Sequence, residues 1–284
     1  MPEEMPASVF RTDGAHLHRF VDAHARLFVL TGAGVSAASG IPDYRDRNGA
    51  WKRAQPITLQ AFTTDALARR RYWARSLVGW RRFGSAKPNA AHRALAALEA
   101  AGRIALLVTQ NVDGLHQRAG SRNVLDLHGR LDAVRCLGCE ARTPRADLQR
   151  ALERSNPEWI ALDALDAPDG DAELDGLPFE RFRVPDCTAC GGMLKPDVVF
   201  YGESVPRERV ERAGRALAEA DAMLVVGSSL MVYSGYRFAL AAQRAGKPVA
   251  AVNIGRTRAD DLLALSIDAD CGDTLAALAV KLSA

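Results

Sequence analysis

The amino-acid sequence predicts a parallel α/β fold with a smaller, discontinuous second unit, and three observations carry this. Short apolar runs at residues 27–30, 104–108, 223–226 and 249–252 have the length and continuity of strands buried on both faces. Between them lie Ala/Arg-rich segments with helical spacing, such as residues 91–101 and 207–220. Strands alternating with helices build a parallel sheet covered on both sides. Two segments break the rhythm: residues 45–84, rich in arginine and aromatic side chains, and residues 131–195, which hold four paired cysteines. The expected architecture is a Rossmann-like domain made of 1–45, 85–130 and 196–284. A cofactor loop and helical module at 46–84 and a metal-binding module with a long insertion at 131–195 form the smaller unit.

Length and composition agree with one large domain plus an insert. The chain has 284 residues, 48% hydrophobic and 25% charged, an ordinary soluble balance. No apolar run approaches the roughly 18 residues of a membrane span. The acidic start with Glu3 and Glu4 lacks the apolar stretch of a secretory signal, so a cytoplasmic protein without a membrane partner is expected. The formal net charge of +3 is small and dispersed, which argues against specific nucleic-acid binding. The 32 arginines against five lysines reflect GC-rich, bacterial coding. The charges of 207–220, entered through Pro206, read as a solvated helix face.

After the first strand comes Thr31-Gly32-Ala33-Gly34-Val35-Ser36, continuing to Gly40-Ile41-Pro42-Asp43-Tyr44-Arg45. Glycines 32 and 34 allow a tight turn and close approach of the backbone to a pyrophosphate. Ala37 stands where a third glycine belongs in a dinucleotide fingerprint, so the turn alone serves equally well as a plain strand–helix connection. The second strand ends in Thr109-Gln110-Asn111-Val112-Asp113-Gly114-Leu115-His116, polar residues where open α/β sheets bind ligands. Leu125-Asp126-Leu127-His128-Gly129 follows. Of six histidines, His16, His18 and His24 read as helix residues, His92 as a structural residue near a helix start, and His116 as support for the Gln110 segment.

Cys136-x-x-Cys139 and Cys187-x-x-Cys190 are two knuckles that fit a closed tetrahedral zinc site. Such a site leaves no position open for catalysis, so the metal is structural. Cys271 stands apart. The stretch 163–178 between the knuckles, rich in Pro, Asp and Gly, reads as a long ordered loop.

These segments, in this order, resemble the sirtuin family. The likeness rests on the Gly32–Arg45 loop, the Gln110–Asp113 run, His128-Gly129, the two cysteine knuckles and Lys195-Pro196-Asp197-Val198-Val199-Phe200-Tyr201-Gly202-Glu203. Tyr44 and Tyr201 stand where many members have phenylalanine. The long insertion, with Asn156-Pro157-Glu158-Trp159 and Arg71-Tyr72-Trp73-Ala74-Arg75, is similar to the class II branch. The resemblance implies an NAD-dependent protein lysine deacylase that gives nicotinamide, O-acyl-ADP-ribose and free lysine, using acyl-lysine proteins or peptides as substrates and acting as a monomer. Mono-ADP-ribosyl transfer, or a non-catalytic NAD sensor, is the alternative.

By the same resemblance, His128 is the general base, assisted by Asn111 and Asp113. Gly32, Ala33, Gly34, Ser36, Pro42, Asp43, Tyr44, Arg45, Gln110, Asn111, Val112 and Asp113 hold NAD from one side. Gly227, Ser228, Ser229, Asn253, Ile254, Gly255 and Cys271 form its adenosine side. Val199 and Tyr201 border the acyl-lysine tunnel, on an extended segment able to pair with an added peptide strand. Succinyl-selective members bind the acyl carboxylate with a Tyr-x-x-Arg pair. Aligning Trp73 with the tryptophan of that module puts Tyr72 and Arg75 one turn too early. The expectation is that they are not the clamp, and that the equivalent positions fall near Leu77 and Trp80.

Overall fold

The computed structural model describes residues 14–52, 55–162, 166–167, 170–172, 174 and 176–282. The acidic start and part of the 163–178 insertion lie outside them. The strands are β1 (Leu27–Thr31), β2 (Ile104–Thr109), β3 (Val124–Asp126), β4 (Gly129–Cys136), β5 (Arg142–Pro144), β6 (Asp166–Ala167), β7 (Asp171–Ala172), β8 (Leu194–Val198), β9 (Ala222–Val226), β10 (Val249–Val252) and β11 (Leu265–Ile267). The helices are α1 (Gly14–Ala23), α2 (Leu59–Thr64), α3 (Ala66–Phe83), α4 (Ala90–Ala100), α5 (Leu115–Arg118), α6 (Arg145–Ser155), α7 (Arg207–Glu219), α8 (Tyr233–Arg244) and α9 (Cys271–Leu282).

The main sheet runs β11-β10-β9-β1-β2-β3, with every neighbouring pair parallel. Each strand alternates its side chains between two apolar layers. Leu27 and Val29 enter one layer with Leu17, Leu95, Leu107, Leu224 and Leu275. Phe28 and Leu30 enter the other with Leu106, Val108, Met223, Val225 and Phe238. That two-sided burial is why the strands read as continuous apolar runs. Strand order reverses between β1 and β9, the crevice where sheets of this kind bind ligands.

The second unit has an antiparallel sheet β5-β4-β8 beside α6, together with α2 and α3. One apolar cluster joins them: Phe62, Trp73 and Leu77 from the helical pair pack with Val134, Leu148, Trp159, Phe182 and Phe200. Thr58 caps α2 by accepting from Ala61 N, and Asp65 caps α3 by accepting from Leu67 N and Ala68 N. Arginines of α3 then grip the insertion through its carbonyls. Arg70 Nη1 donates to Glu180 O at 2.8 Å, Arg75 Nε to Ala172 O at 2.8 Å and Arg81 Nη1 to Ile160 O at 2.8 Å. Within the stretch expected to be a loop, β6 and β7 form a short antiparallel ladder. Backbone pairing there fell below what an Asp/Gly/Pro-rich composition reveals.

Candidate active site

A cleft of about 1420 Å³ opens at the C-terminal ends of β1, β2 and β9 and runs to α3, Leu174, Leu177 and Phe179. Two turns meet at its floor. Gly34 N donates to Gly227 O at 2.8 Å, and a Cβ on Gly32 would stand 2.7 Å from Ser228 Cβ. Gly227 has φ +58, and a Cβ there would reach within 2.3 Å of Val35 N. The glycines of the first turn are thus required by this turn-on-turn packing, a reason that pyrophosphate approach alone does not supply. The segment that follows is a single 3-10 helix, Ala33–Ser39.

Beneath the turns, Ser36 is buried and central. Its Oγ donates to Asp113 Oδ2 at 2.7 Å and accepts from Asn111 Nδ2 at 3.0 Å. Asn111 Nδ2 also donates to Gly32 O at 3.1 Å, so the second strand's polar end is fastened to the first strand's turn. Asp113 Oδ1 accepts from Leu115 N at 2.8 Å. Burial raises the Asp113 carboxyl, against the lowering pull of its bonds to Leu115 N and Ser36. His92 sits in a capping box at the start of α4, where the Asn89 side chain accepts from Ala91 N and His92 N. His116 is buried with Nε2 2.9 Å from Thr31 Oγ1.

His128 faces the cleft. Its Nδ1 donates to Gln110 O at 3.0 Å, because a carbonyl can only accept; Nε2 is therefore the acceptor, receiving a bond from Ser234 Oγ at 2.8 Å. Burial lowers the imidazole to about 4, the Gln110 bond opposing and Arg209 reinforcing the shift. The ring is neutral at pH 7, well below the ordinary range near 6.5 that its sequence suggested. Gln110 Oε1 accepts from Ser228 Oγ at 2.7 Å, and a Cβ on Gly235 would lie 2.7 Å from Gln110 Nε2. Ser234 and Gly235 were not among the residues expected from sequence. Their signal was position: they open the helix after the Gly227-Ser228-Ser229 turn.

Opposite His128, Val199 N donates to His128 O at 2.7 Å, and Tyr201 stacks edge-on with Trp51, 5.8 Å between centroids. Trp51 in turn meets Tyr44 at 6.0 Å and carries the Arg45 guanidinium 3.9 Å above its ring. Of the expected site residues, those from Gly32 to Arg45, Gln110 to Asp113, His128, Val199, Tyr201, Gly227 to Ser229, Asn253 and Ile254 line the cleft. Gly255 and Cys271 do not line it. Gly255 packs against Arg47, and the buried Cys271 thiol lies 3.5 Å from Gly34 O, behind the turn. Tyr72 and Arg75 do line the cleft, whereas Leu77 is buried in the helical module and Trp80 lies away from the cleft wall. Against the expectation drawn from Trp73, Tyr72 and Arg75 border the cleft and Leu77 and Trp80 do not; Trp73 itself is a fully buried core residue.

The four paired cysteines meet, their sulfurs all within 4.8 Å of one another. Cys136 Sγ is 3.5 Å from Cys190 Sγ, and Cys139 Sγ is 3.8 Å from Cys187 Sγ. Tetrahedral zinc with Zn–S of about 2.3 Å requires sulfurs roughly 3.8 Å apart, so the donor set and spacing fit a structural zinc. Gly138 N and Gly192 N donate to Cys136 Sγ and Cys190 Sγ at 3.3 and 3.4 Å, bonds that favour thiolate.

Comparison with known proteins agrees with this arrangement. The Sir2 family profile matches residues 32–234. An NAD-dependent protein deacetylase of Xanthomonas campestris is 66% identical over 265 residues, spanning 93% of this chain and 90% of its own. Human NAD-dependent protein lipoamidase sirtuin-4, mitochondrial, is 49% identical over 262 residues, spanning 91% and 83%. A Sir2 protein solved with a p53 peptide and NAD+ superposes with a TM-score of 0.78 at 30% identity, over 95% of this chain and 99% of that one. A Sir2 homolog–NAD complex superposes with a TM-score of 0.74 at 31% identity, over 98% and 96%. A cleft at the strand-order reversal, a neutral histidine facing it and a four-thiol staple beside it occur here in a chain that belongs to the Sir2 family.

Proposed function

We propose that this chain removes acyl groups from lysine side chains of proteins with consumption of NAD. The observation that carries the reading is His128: neutral, facing the cleft, with Nδ1–H held by Gln110 O and Nε2 turned outward as an acceptor. NAD supplies the ribose carbon that receives the acyl oxygen and nicotinamide as leaving group. His128 Nε2 takes the proton of a ribose hydroxyl, with Ser234 Oγ holding the ring in place before substrate enters. Asn111 and Asp113, aligned through Ser36, bind the nicotinamide end. Val199 and Tyr201 present the peptide segment to His128.

The cysteine cluster holds a structural zinc, keeping β4 and β8 in register beside the substrate segment. The reading extends to a monomer acting on acyl-lysine segments in the cytoplasm, with no nucleic acid; among the described residues no helix is long and apolar enough to cross a membrane. The test is incubation with labelled NAD and a panel of acylated peptides. Label recovered as O-acyl-ADP-ribose is the expected result. Label attached to protein would favour ADP-ribosyl transfer, and NAD binding without turnover would favour a sensor.

A further inference from the structure

The segment that follows β8 carries Val199 and Tyr201, and it is held by an ion pair between buried Lys195 and half-buried Glu203, which borders the cleft. Lys195 projects from β8 with its side chain 1% exposed, and its Nζ lies 2.9 Å from Glu203 Oε2. The same ammonium donates to Val198 O and, at 3.4 Å, to Pro196 O, and it sits 4.5 Å from the centre of the Phe200 ring. Glu203 Oε2 accepts from Phe200 N at 2.9 Å, while Glu203 N donates to Phe200 O at 3.0 Å. The backbone of 198–200 is therefore bonded to both partners of the pair on one side. On the other side it meets His128, through Val199 N and His128 O.

Charge arrangement explains why the pair is tolerated. Lys195 stands directly opposite Arg135 in the β4–β8 ladder. Like charges facing across strands repel. Glu203 answers both, its Oε1 lying 3.9 Å from Arg135 Nη2, and Glu140 Oε2 adds a contact to Arg135 Nη1 at 3.5 Å. Arg135 immediately precedes Cys136, and Glu140 follows Cys139 with φ +61, so the network reaches the cysteine cluster. A buried pair seldom adds net stability over apolar residues of the same volume. The bonds to the loop backbone are what an apolar replacement would lack.

We propose that Lys195 and Glu203 are positioning residues for acyl-peptide binding: they set the backbone of the 198–200 segment against His128, and Arg135 ties them to the cysteine cluster. The proposal rests on the deacylase reading. Neither residue takes part in the chemistry.

Three variants test it: Lys195→Met, Glu203→Gln and the double Lys195→Met/Glu203→Gln. Each is assayed for anisotropy of a fluorescein-labelled acetyl-lysine peptide with ADP-ribose present, NAD affinity by calorimetry, zinc content and melting temperature. Lys195→Met should weaken the peptide tenfold or more while NAD affinity stays within twofold and one zinc is retained. Glu203→Gln leaves a buried ammonium without its counter-charge and should melt lowest of the three. The double variant should regain melting temperature relative to Glu203→Gln without regaining peptide affinity, a separation that a purely structural role does not produce. Unchanged peptide affinity in either variant lacking Lys195, a parallel fall in NAD affinity, or recovery of both properties together in the double variant overturns the proposal. Should Lys195→Met fail to fold, the double variant decides. Wild type that binds no acyl peptide refutes the deacylase reading, and the proposal with it.

Discussion

Ser234 Oγ lies 2.8 Å from His128 Nε2 and, on the proposed mechanism, holds the place from which a ribose hydroxyl would give up its proton. The bond must therefore open, or be shared, on each turnover. His128→Ala should cut turnover by about 10²-fold or more, the scale of a lost general base, with NAD affinity changed little. Ser234→Ala removes one neutral hydrogen bond, worth about 1 kcal/mol, and should change kcat/KM by about fivefold or less. Single-turnover rates on an acyl peptide check both, and a near wild-type rate for His128→Ala would remove the histidine from the mechanism.

Metal removal gives a second outcome. The purified protein should carry one zinc per chain, because the thiols already stand at tetrahedral spacing. Cys187→Ala should lose both zinc and most thermal stability, since metal binding is linked to folding. Cys271→Ser, far from the cluster and behind the cofactor turn, should keep its zinc. Elemental analysis with a melting curve decides; a folded wild-type preparation lacking metal contradicts the assignment.

Stability should fall on mild acidification. Burial holds His128 and His92 down to about 4, and His116 well below its usual 6.5. Between those values the unfolded chain binds protons that the folded chain refuses. The contributions of His128 and His92 are whole above pH 6.5 and are lost as pH drops toward 4, by up to ~1.4 kcal/mol per pH unit per histidine, and His116 acts in the same direction. Asp113 and Asp126 have the opposite sign: burial raises both carboxyls, so the folded chain holds their protons longer and acid relieves part of their cost. Melting temperature should decline from pH 6.5 to 5, less steeply in His128→Ala. A flat profile over that range would count against the buried neutral imidazoles.

For acyl preference we propose a role for Tyr72 and Arg75. Tyr72 and Arg75 line the cleft, one helical turn apart on the same face of α3. Arg75→Met should lower kcat/KM for succinyl- or hydroxymethylglutaryl-lysine peptides more than tenfold, corresponding to roughly 2–4 kcal/mol for a charge-assisted contact. Arg75 Nε also donates to Ala172 O, so the acetyl-lysine peptide serves as internal control for any loosening of that wall. Equal losses on all three peptides would assign Arg75 to the wall alone.

Much of this protein was legible in the sequence because it is local or strictly ordered along the chain. Residues 27–31 read as a buried strand since every side chain enters an apolar layer, and the two Cys-x-x-Cys pairs name their own ligand chemistry. Gln110, Asn111 and Asp113 stood out because polar residues at a strand's end do nothing for the core. What depends on distant segments meeting was not legible. Ser234 is ordinary in its own helix and matters only because α8 brings it to an imidazole 106 residues earlier. The depressed His128 imidazole comes from burial, which no single segment creates. The place of Tyr72 and Arg75 at the cleft was not legible because α3 presents polar and aromatic residues on both faces, and only its packing shows which of them border the cleft. Sequence alone determined the fold class, the metal-ligand chemistry and the family resemblance from which His128 is proposed as the reacting histidine, each carried by residues close along the chain. Tertiary structure decided that histidine's protonation, its serine partner and which residues of α3 border the cleft, because these follow from desolvation and contact between elements far apart in sequence.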